Sequence, residues 1–161
     1  MCLFGGGHVA AALAPVLIPL EFPCVVLENR SEFADPARFP EKCQVQLIDF
    51  ERCTEQFSFR TDDYVCIMTR GHLDDLTVLT QILKTDVKYI GLIGSARKIK
   101  TTFEKLKDLG FCDEDLKRII PPIGIPIGGK SPAEIAISIA AQLIQCRCEA
   151  PSKYWPRRDN T

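Results

Sequence analysis

The chain has 161 residues, 46% of them hydrophobic and 25% charged, and a formal charge of −1, which suits one packed domain and leaves little room for two. A balance this near neutral argues against binding nucleic acid through bulk charge, so any anionic ligand has to be held by local groups. No run approaches the roughly twenty apolar residues of a membrane span, and no basic start with an apolar run precedes the first glycines, so the reading is a cytoplasmic protein with no membrane partner.

The first apolar run, Cys2 to Phe4, reads as a strand that leads directly into Gly5-Gly6-Gly7-His8-Val9-Ala10. This is a G-x-G-x-x-A pattern: one glycine for a tight strand-to-helix turn, one for backbone approach to a phosphate, and a small residue for helix-on-sheet packing. The helix it opens would carry Val9, Ala12, Leu13 and Val16 and be bent or shortened by Pro15. A second strand, Cys24 to Glu28, ends on an acid placed where ribose hydroxyls would donate hydrogen bonds. Residues Ser31 to Cys43 hold Pro36 and Pro40 and read as a loop with a brief helical turn.

Further strands are expected at Val45 to Ile48, Tyr64 to Thr69, Tyr89 to Ile93 and Ile119 to Ile123, with a loop or short helix over Glu51 to Arg60. Between them, Leu76, Val78, Leu79, Ile82 and Leu83 mark one helix behind Asp74 and Asp75. Another starts at Ser95, packs Ile99, Phe103 and Leu106 and stops at Gly110, and Asp113 to Arg118 suits a short one. The last helix has Ser131 as N-cap, Pro132 at its first position and Glu134 completing a capping box. Its narrow polar stripe, Glu134, Ser138, Gln142 and Gln145, predicts a largely buried cylinder. Lys153 to Thr161 reads as a polar tail around Tyr154-Trp155-Pro156.

Strands alternating with helices give an α/β fold, a doubly wound and mostly parallel sheet in a three-layer arrangement, with strand order 3-2-1-4-5 and a sixth strand at one edge. The eight cysteines do not suggest a disulfide framework, because Cys24, Cys43 and Cys66 sit inside apolar runs and behave as reduced core residues. Cys146 and Cys148 form a C-x-C with no partner pair or histidine, which is weak support for a metal.

In such a sheet the ligand lies beyond the carboxyl ends of the strands, so the informative residues follow each apolar run. They are Gly5, Gly6, Gly7 and His8, then Glu28, Asn29 and Arg30, then Thr69, Arg70, Gly71 and His72, then Gly94, Ser95, Arg97 and Lys98, and finally Gly124. Arg97 and Lys98 oppose the dipole of the helix they open, a cost that a bound anion between them would reverse. Gly124 to Ser131 satisfies the letters of the P-loop, but Pro126 lacks an N–H for a phosphate cradle and Ser131 is already used as an N-cap. No nucleophile with a base, and no paired metal-ligand set, stands beside the glycine turns, so the site reads as a binding site without catalytic residues.

Taken in order, Gly5-Gly6-Gly7-His8-Val9, Asn29-Arg30-Ser31-Glu32-Phe33-Ala34, Arg38-Phe39-Pro40, Thr69-Arg70-Gly71-His72, Tyr89 through Lys98, Pro122-Ile123-Gly124 and Ser131 through Ala136 resemble the C-terminal Rossmann domain of the XdhC/CoxI family, the xanthine dehydrogenase accessory factors. The similarity runs from Leu3 to about Arg147, and the T-R-G-H and G-L-I-G-S-x-R-K segments are its specific part. The resemblance implies a molybdenum-cofactor chaperone that holds molybdopterin during sulfuration and passes it to a molybdenum hydroxylase of the xanthine dehydrogenase type, commonly as a homodimer. It implies that the glycine turn takes the cofactor phosphate, that Glu28, Asn29 or Arg30 meets the pterin, and that Arg70, Arg97 and Lys98 offset its charge.

On this reading residues 1–148 form the Rossmann-like domain and 149–161 the tail, and the family's N-terminal domain with its cysteine motif lies outside the chain. Glu28-Asn29 departs from a more usual pair of aspartates, and Lys130 stands where acidic or neutral residues are common. Two other classes fit the glycine turn: an NAD(P)-dependent oxidoreductase, with Glu28 favouring NAD because a carboxylate repels a 2′-phosphate, and a nucleotide-sensing module.

Overall fold

The computed structural model describes residues 1–148, and the tail expected at 149–161 lies outside the described residues. Six parallel strands form one sheet: β1 (Cys2–Phe4), β2 (Val25–Glu28), β3 (Gln44–Leu47), β4 (Tyr64–Ile67), β5 (Tyr89–Leu92) and β6 (Ile119–Ile120), in the order β3-β2-β1-β4-β5-β6. That is the order read from the sequence. Chain progression reverses beside β1, whose Cys2 pairs with Val25 on one side and Val65 on the other. The crevice at this reversal is where open α/β sheets receive ligands.

Successive residues of β1 serve opposite faces, as the pleat requires. Leu3 joins Val26 and Cys66 under α1 (His8–Leu17) and α6 (Pro132–Cys148), where Leu13, Leu17, Ile139 and Leu143 are fully buried. Phe4 joins Leu27, Ile67 and Ile90 under α3 (His72–Ile82) and α4 (Ala96–Asp108), which contribute Leu79, Ile82 and Leu106. The remaining helices, α2 (Cys53–Gln56) and α5 (Asp113–Lys117), are single turns. Among the described residues no helix is long and apolar enough to cross a membrane.

Several expectations are corrected in detail. The first helix continues through Pro15 to Leu17, because Pro15 lies on its exposed side, where a lost hydrogen bond is replaced by solvent. The last strand stops at Ile120 and not Ile123, since Pro121 and Pro122 have no N–H for the ladder. The capping box of α6 is present: Ser131 N and Oγ both donate to Glu134 Oε2, at 2.9 and 2.8 Å. That helix is buried on one side only, with Ile137 exposed, and two members of its polar stripe, Ser138 and Gln142, turn inward. Cys2, Cys24, Cys43, Cys53 and Cys66 are buried free thiols, and the sulfurs of Cys24 and Cys43 lie 3.4 Å apart. Burial pushes the Cys2 thiol up to about 12.

Candidate functional site

The glycine turn after β1 has three different glycines. Gly5 adopts φ +99°, the left-handed region that favours glycine, and a Cβ there would meet the Met68 carbonyl oxygen at 2.6 Å. Gly6 is confined by the Phe33 carbonyl oxygen, which a Cβ would strike. Gly7 has nothing within 4 Å of where its Cβ would be. It is the N-cap of α1, no side chain caps the helix there, and the buried Ala10 fills the small-residue position against the core. The open glycine stands where an anion would approach the first N–H groups, and His8 is exposed beside it.

Glu28, offered by the sequence to a ribose or a pterin, is fully buried and engaged within the chain. Its Oε2 accepts from Gly6 N at 2.7 Å and Arg30 Nη2 at 2.9 Å. Its Oε1 accepts from Asn29 N, Arg30 N and Arg30 Nε at 2.9–3.0 Å. Five donors use the roughly four lone-pair sites of a carboxylate. Burial pushes this carboxyl up, and the Arg30 guanidinium and Gly6 N–H outweigh it, so the group stays below its ordinary value.

Arg30 stacks over the Phe33 ring at 4.0 Å, and Arg38 lies over the same ring at 4.7 Å while donating from Nη1 to the Gly6 carbonyl at 2.7 Å. Gly6 is thus held at its N–H by the last residue of β2 and at its C=O by the segment that follows. Of the second group, only Asn29 is exposed.

Across the reversal, α3 starts in the same way. Gly71 is its N-cap, with no capping side chain and no atom within 4 Å of a Cβ. Thr69 turns inward: its hydroxyl donates to Asp75 Oδ1 at 2.6 Å and its N–H to the same oxygen at 3.2 Å. Asp75 is buried, and that burial raises its carboxyl to about 6, against the hydrogen bonds from Thr69 and the nearby charge of Lys98. The clamp fixes the turn that carries the exposed Arg70 and leads into α3.

Beyond β5, Ser95 caps α4 by accepting from Lys98 N at 3.4 Å, and Arg97 and Lys98 are exposed on its first turn. Neither side chain makes a hydrogen bond or ion pair among the described residues. A cavity of about 630 Å³ opens here, between Ile93, Gly94 and Ser95 on one side and Gly124, Ile125 and Ile127 on the other.

The inward stripe of α6 shapes the cavity. Gln142 accepts from Gly124 N at 2.8 Å and from the Tyr89 hydroxyl at 2.6 Å, and Ser138 Oγ donates to the Ile125 carbonyl at 2.6 Å. At Gly124, φ is +99° and a Cβ would strike Ser138 Oγ, so only glycine suits this close approach. The segment is therefore no P-loop: Lys130 N and Ser131 N are both committed to Glu134, and the loop frames an apolar cavity.

Comparison with known proteins decides the family. The description "XdhC Rossmann domain" matches residues 1–143. The chain belongs to this family. The XdhC domain is 30% identical over 152 residues to the uncharacterized protein YqeB of Escherichia coli K12, and 27% identical over 147 residues to a Bacillus subtilis 168 protein described as a probable subunit of xanthine dehydrogenase. These alignments cover 94% and 91% of the chain but only 28% and 42% of the two relatives, so it spans less than half the length of either. A solved structure described as a xanthine dehydrogenase from Bacillus halodurans superposes with a TM-score of 0.79 at 29% identity, covering 96% of this chain and 44% of that one.

The XdhC domain brings the residues named from sequence to one edge of the sheet in two groups. Gly5, Gly6, Glu28 and Arg30 build the turn; Gly7 and Gly71 have open space at their Cβ positions, His8, Arg70, Arg97 and Lys98 are exposed, and Gly94, Ser95 and Gly124 line the cavity. Sequence reasoning gave no role to Phe33, Arg38 or Gln142 and placed Asp75 only as a first-turn acid. No local spacing rule marks Asp75: its partner Thr69 lies six residues earlier, across the turn into α3.

Proposed function

We propose that this domain is the cofactor-holding part of an accessory protein for a xanthine dehydrogenase-type enzyme, and that its ligand is molybdopterin. One observation carries the reading: two helices, α1 and α3, begin on either side of the sheet reversal with glycine N-caps, which have no side chain to cap the first N–H groups and no atom within 4 Å of where a Cβ would be. Their free N–H groups and positive dipole ends suit a phosphate, and Arg70, Arg97 and Lys98 add positive charge around it. The named relatives supply the enzyme class. Within the domain the residues bind, orient and shield; the sulfur and molybdenum chemistry belongs to the cofactor.

The engagement of Glu28 weighs against NAD, because the acid that would select a ribose accepts from Gly6 and Arg30 instead, and it equally takes Glu28 out of the pterin contacts. The test is retention of released molybdenum cofactor by the recombinant chain on gel filtration. The expected result is co-elution, reduced in Arg97→Ala by about threefold or more, the loss of one charge-assisted contact. Failure to retain the cofactor, with NAD bound at micromolar strength, would replace this reading with a dehydrogenase or nucleotide sensor, and a hydride-transfer assay would separate those two.

A further inference from the structure

A dinucleotide domain of this strand order has two halves: an adenosine half over the ends of β1 to β3 and a second half over the ends of β4 to β6, with the pyrophosphate between them. In this chain the two halves differ. The β2 position is filled by the chain's own groups, with the Phe33 carbonyl against Gly6, Arg38 on the Gly6 carbonyl, and Arg30 closing over Glu28 and Phe33. The β5–β6 position holds a cavity of about 630 Å³, within the usual range of roughly 300–1,000 Å³ for sites of small ligands.

We propose that the carboxyl edge is a half-site: it takes a singly phosphorylated flat heterocycle whose ring lies in the cavity between Gly94-Ser95 and the Gly124–Ile127 loop, and it excludes the adenosine half of a dinucleotide. The proposal rests on the phosphorylated-pterin reading above and adds where the ring lies. Three features of the cavity support it. Its walls are apolar, and Ile127, which lines it, is 50% exposed, so that side chain is within reach of a ring entering the cavity. Arg97 and Lys98 stand exposed on the first turn of the helix that begins at the cavity wall Ser95, so cationic groups adjoin the cavity. The backbone of the loop is fixed by Gln142 and Ser138, so the cavity is built before a ligand arrives.

The test uses the whole chain, a fluorescent 6-alkylpterin phosphate and NADH as probes, and the exposed-site variants Ile127→Asp, Ile127→Ser and Asn29→Ala, each with its thermal midpoint measured alongside. The expected result is pterin phosphate binding weakened about tenfold or more by Ile127→Asp, less by Ile127→Ser, and about twofold or less by Asn29→Ala, with NADH binding at least about tenfold weaker than the pterin. The opposite pattern, loss with Asn29→Ala and none with the Ile127 variants, overturns the half-site and leaves the molybdopterin reading standing. NADH bound more tightly than the pterin phosphate, or neither probe bound, overturns both.

Discussion

The two sides of the glycine turn are made from similar parts and end in opposite states. On the β2 side an acid, two arginines and a phenylalanine satisfy one another and the backbone of Gly6, with Glu28 fully buried. On the β4–β5 side an acid and a threonine lock a turn, but the cations nearby, Arg70, Arg97 and Lys98, remain in solvent. The difference is one of charge balance. Glu28 faces a guanidinium at hydrogen-bond distance and its region closes. The outer cations of the other side have no such partner among the described residues and are available to an anionic ligand.

The largest expected effect comes from breaking the closed side. Glu28→Ala leaves the Gly6 N–H, the Asn29 N–H and the Arg30 guanidinium without their acceptor; Arg30 is partly exposed and can turn to water, so the loss should be about 3 kcal/mol, the upper end for hydrogen bonds made to a charged group. Urea unfolding should show that loss. A midpoint unchanged from the parent would mean that the brace does not organise the turn. Glu28→Gln keeps an acceptor oxygen, so it should recover part of the loss, which separates shape from charge.

This contrast also explains what was legible in the sequence. Strand order, helix starts and the glycine turn follow from local rules: apolar runs, caps and a G-x-G-x-x-A pattern, each read within a few residues. The role of Glu28 was not local. Its partners Gly6 and Arg30 are 22 and 2 residues away, and the Phe33 and Arg38 contacts that close the region depend on how the loop after β2 folds back. An acid at a strand end therefore reads the same whether it faces a ribose or its own chain. The inward turn of Ser138 and Gln142 was hidden for a similar reason: a polar stripe on a helix signals water unless a loop with unsatisfied backbone groups lies opposite.

The acid of the open side gives the next effect. Asp75 has a carboxyl raised by burial from 3.8 to about 6. Between those values the folded chain holds a proton that the unfolded chain has released, so unfolding free energy falls as pH rises through the window. The stability Asp75 provides is greatest below about pH 4 and is lost by about pH 7. At about 1.4 kcal/mol per pKa unit the change is on the order of 3 kcal/mol. Asp75→Asn should flatten that slope between pH 4 and 6 without lowering stability at pH 8, because its side-chain oxygen still accepts from Thr69. A slope identical to the parent's would show that Asp75 titrates as an exposed acid.

The smallest effect is the sharpest comparison, since it concerns adjacent glycines. Gly6→Ala puts a methyl against the Phe33 carbonyl and should cost about 1–2 kcal/mol as the loop shifts. Gly7→Ala places its methyl in open space at φ −71°, a conformation alanine adopts freely, so stability should change by no more than about 0.5 kcal/mol. The same methyl stands over the uncovered start of α1, where a phosphate would have to come close. Gly7→Ala should therefore lose cofactor retention while Tm stays near the parent's, and Gly6→Ala should lose Tm first. Retention of cofactor by a stable Gly7→Ala chain would move the phosphate away from α1, leaving the Gly71 start of α3 to hold it.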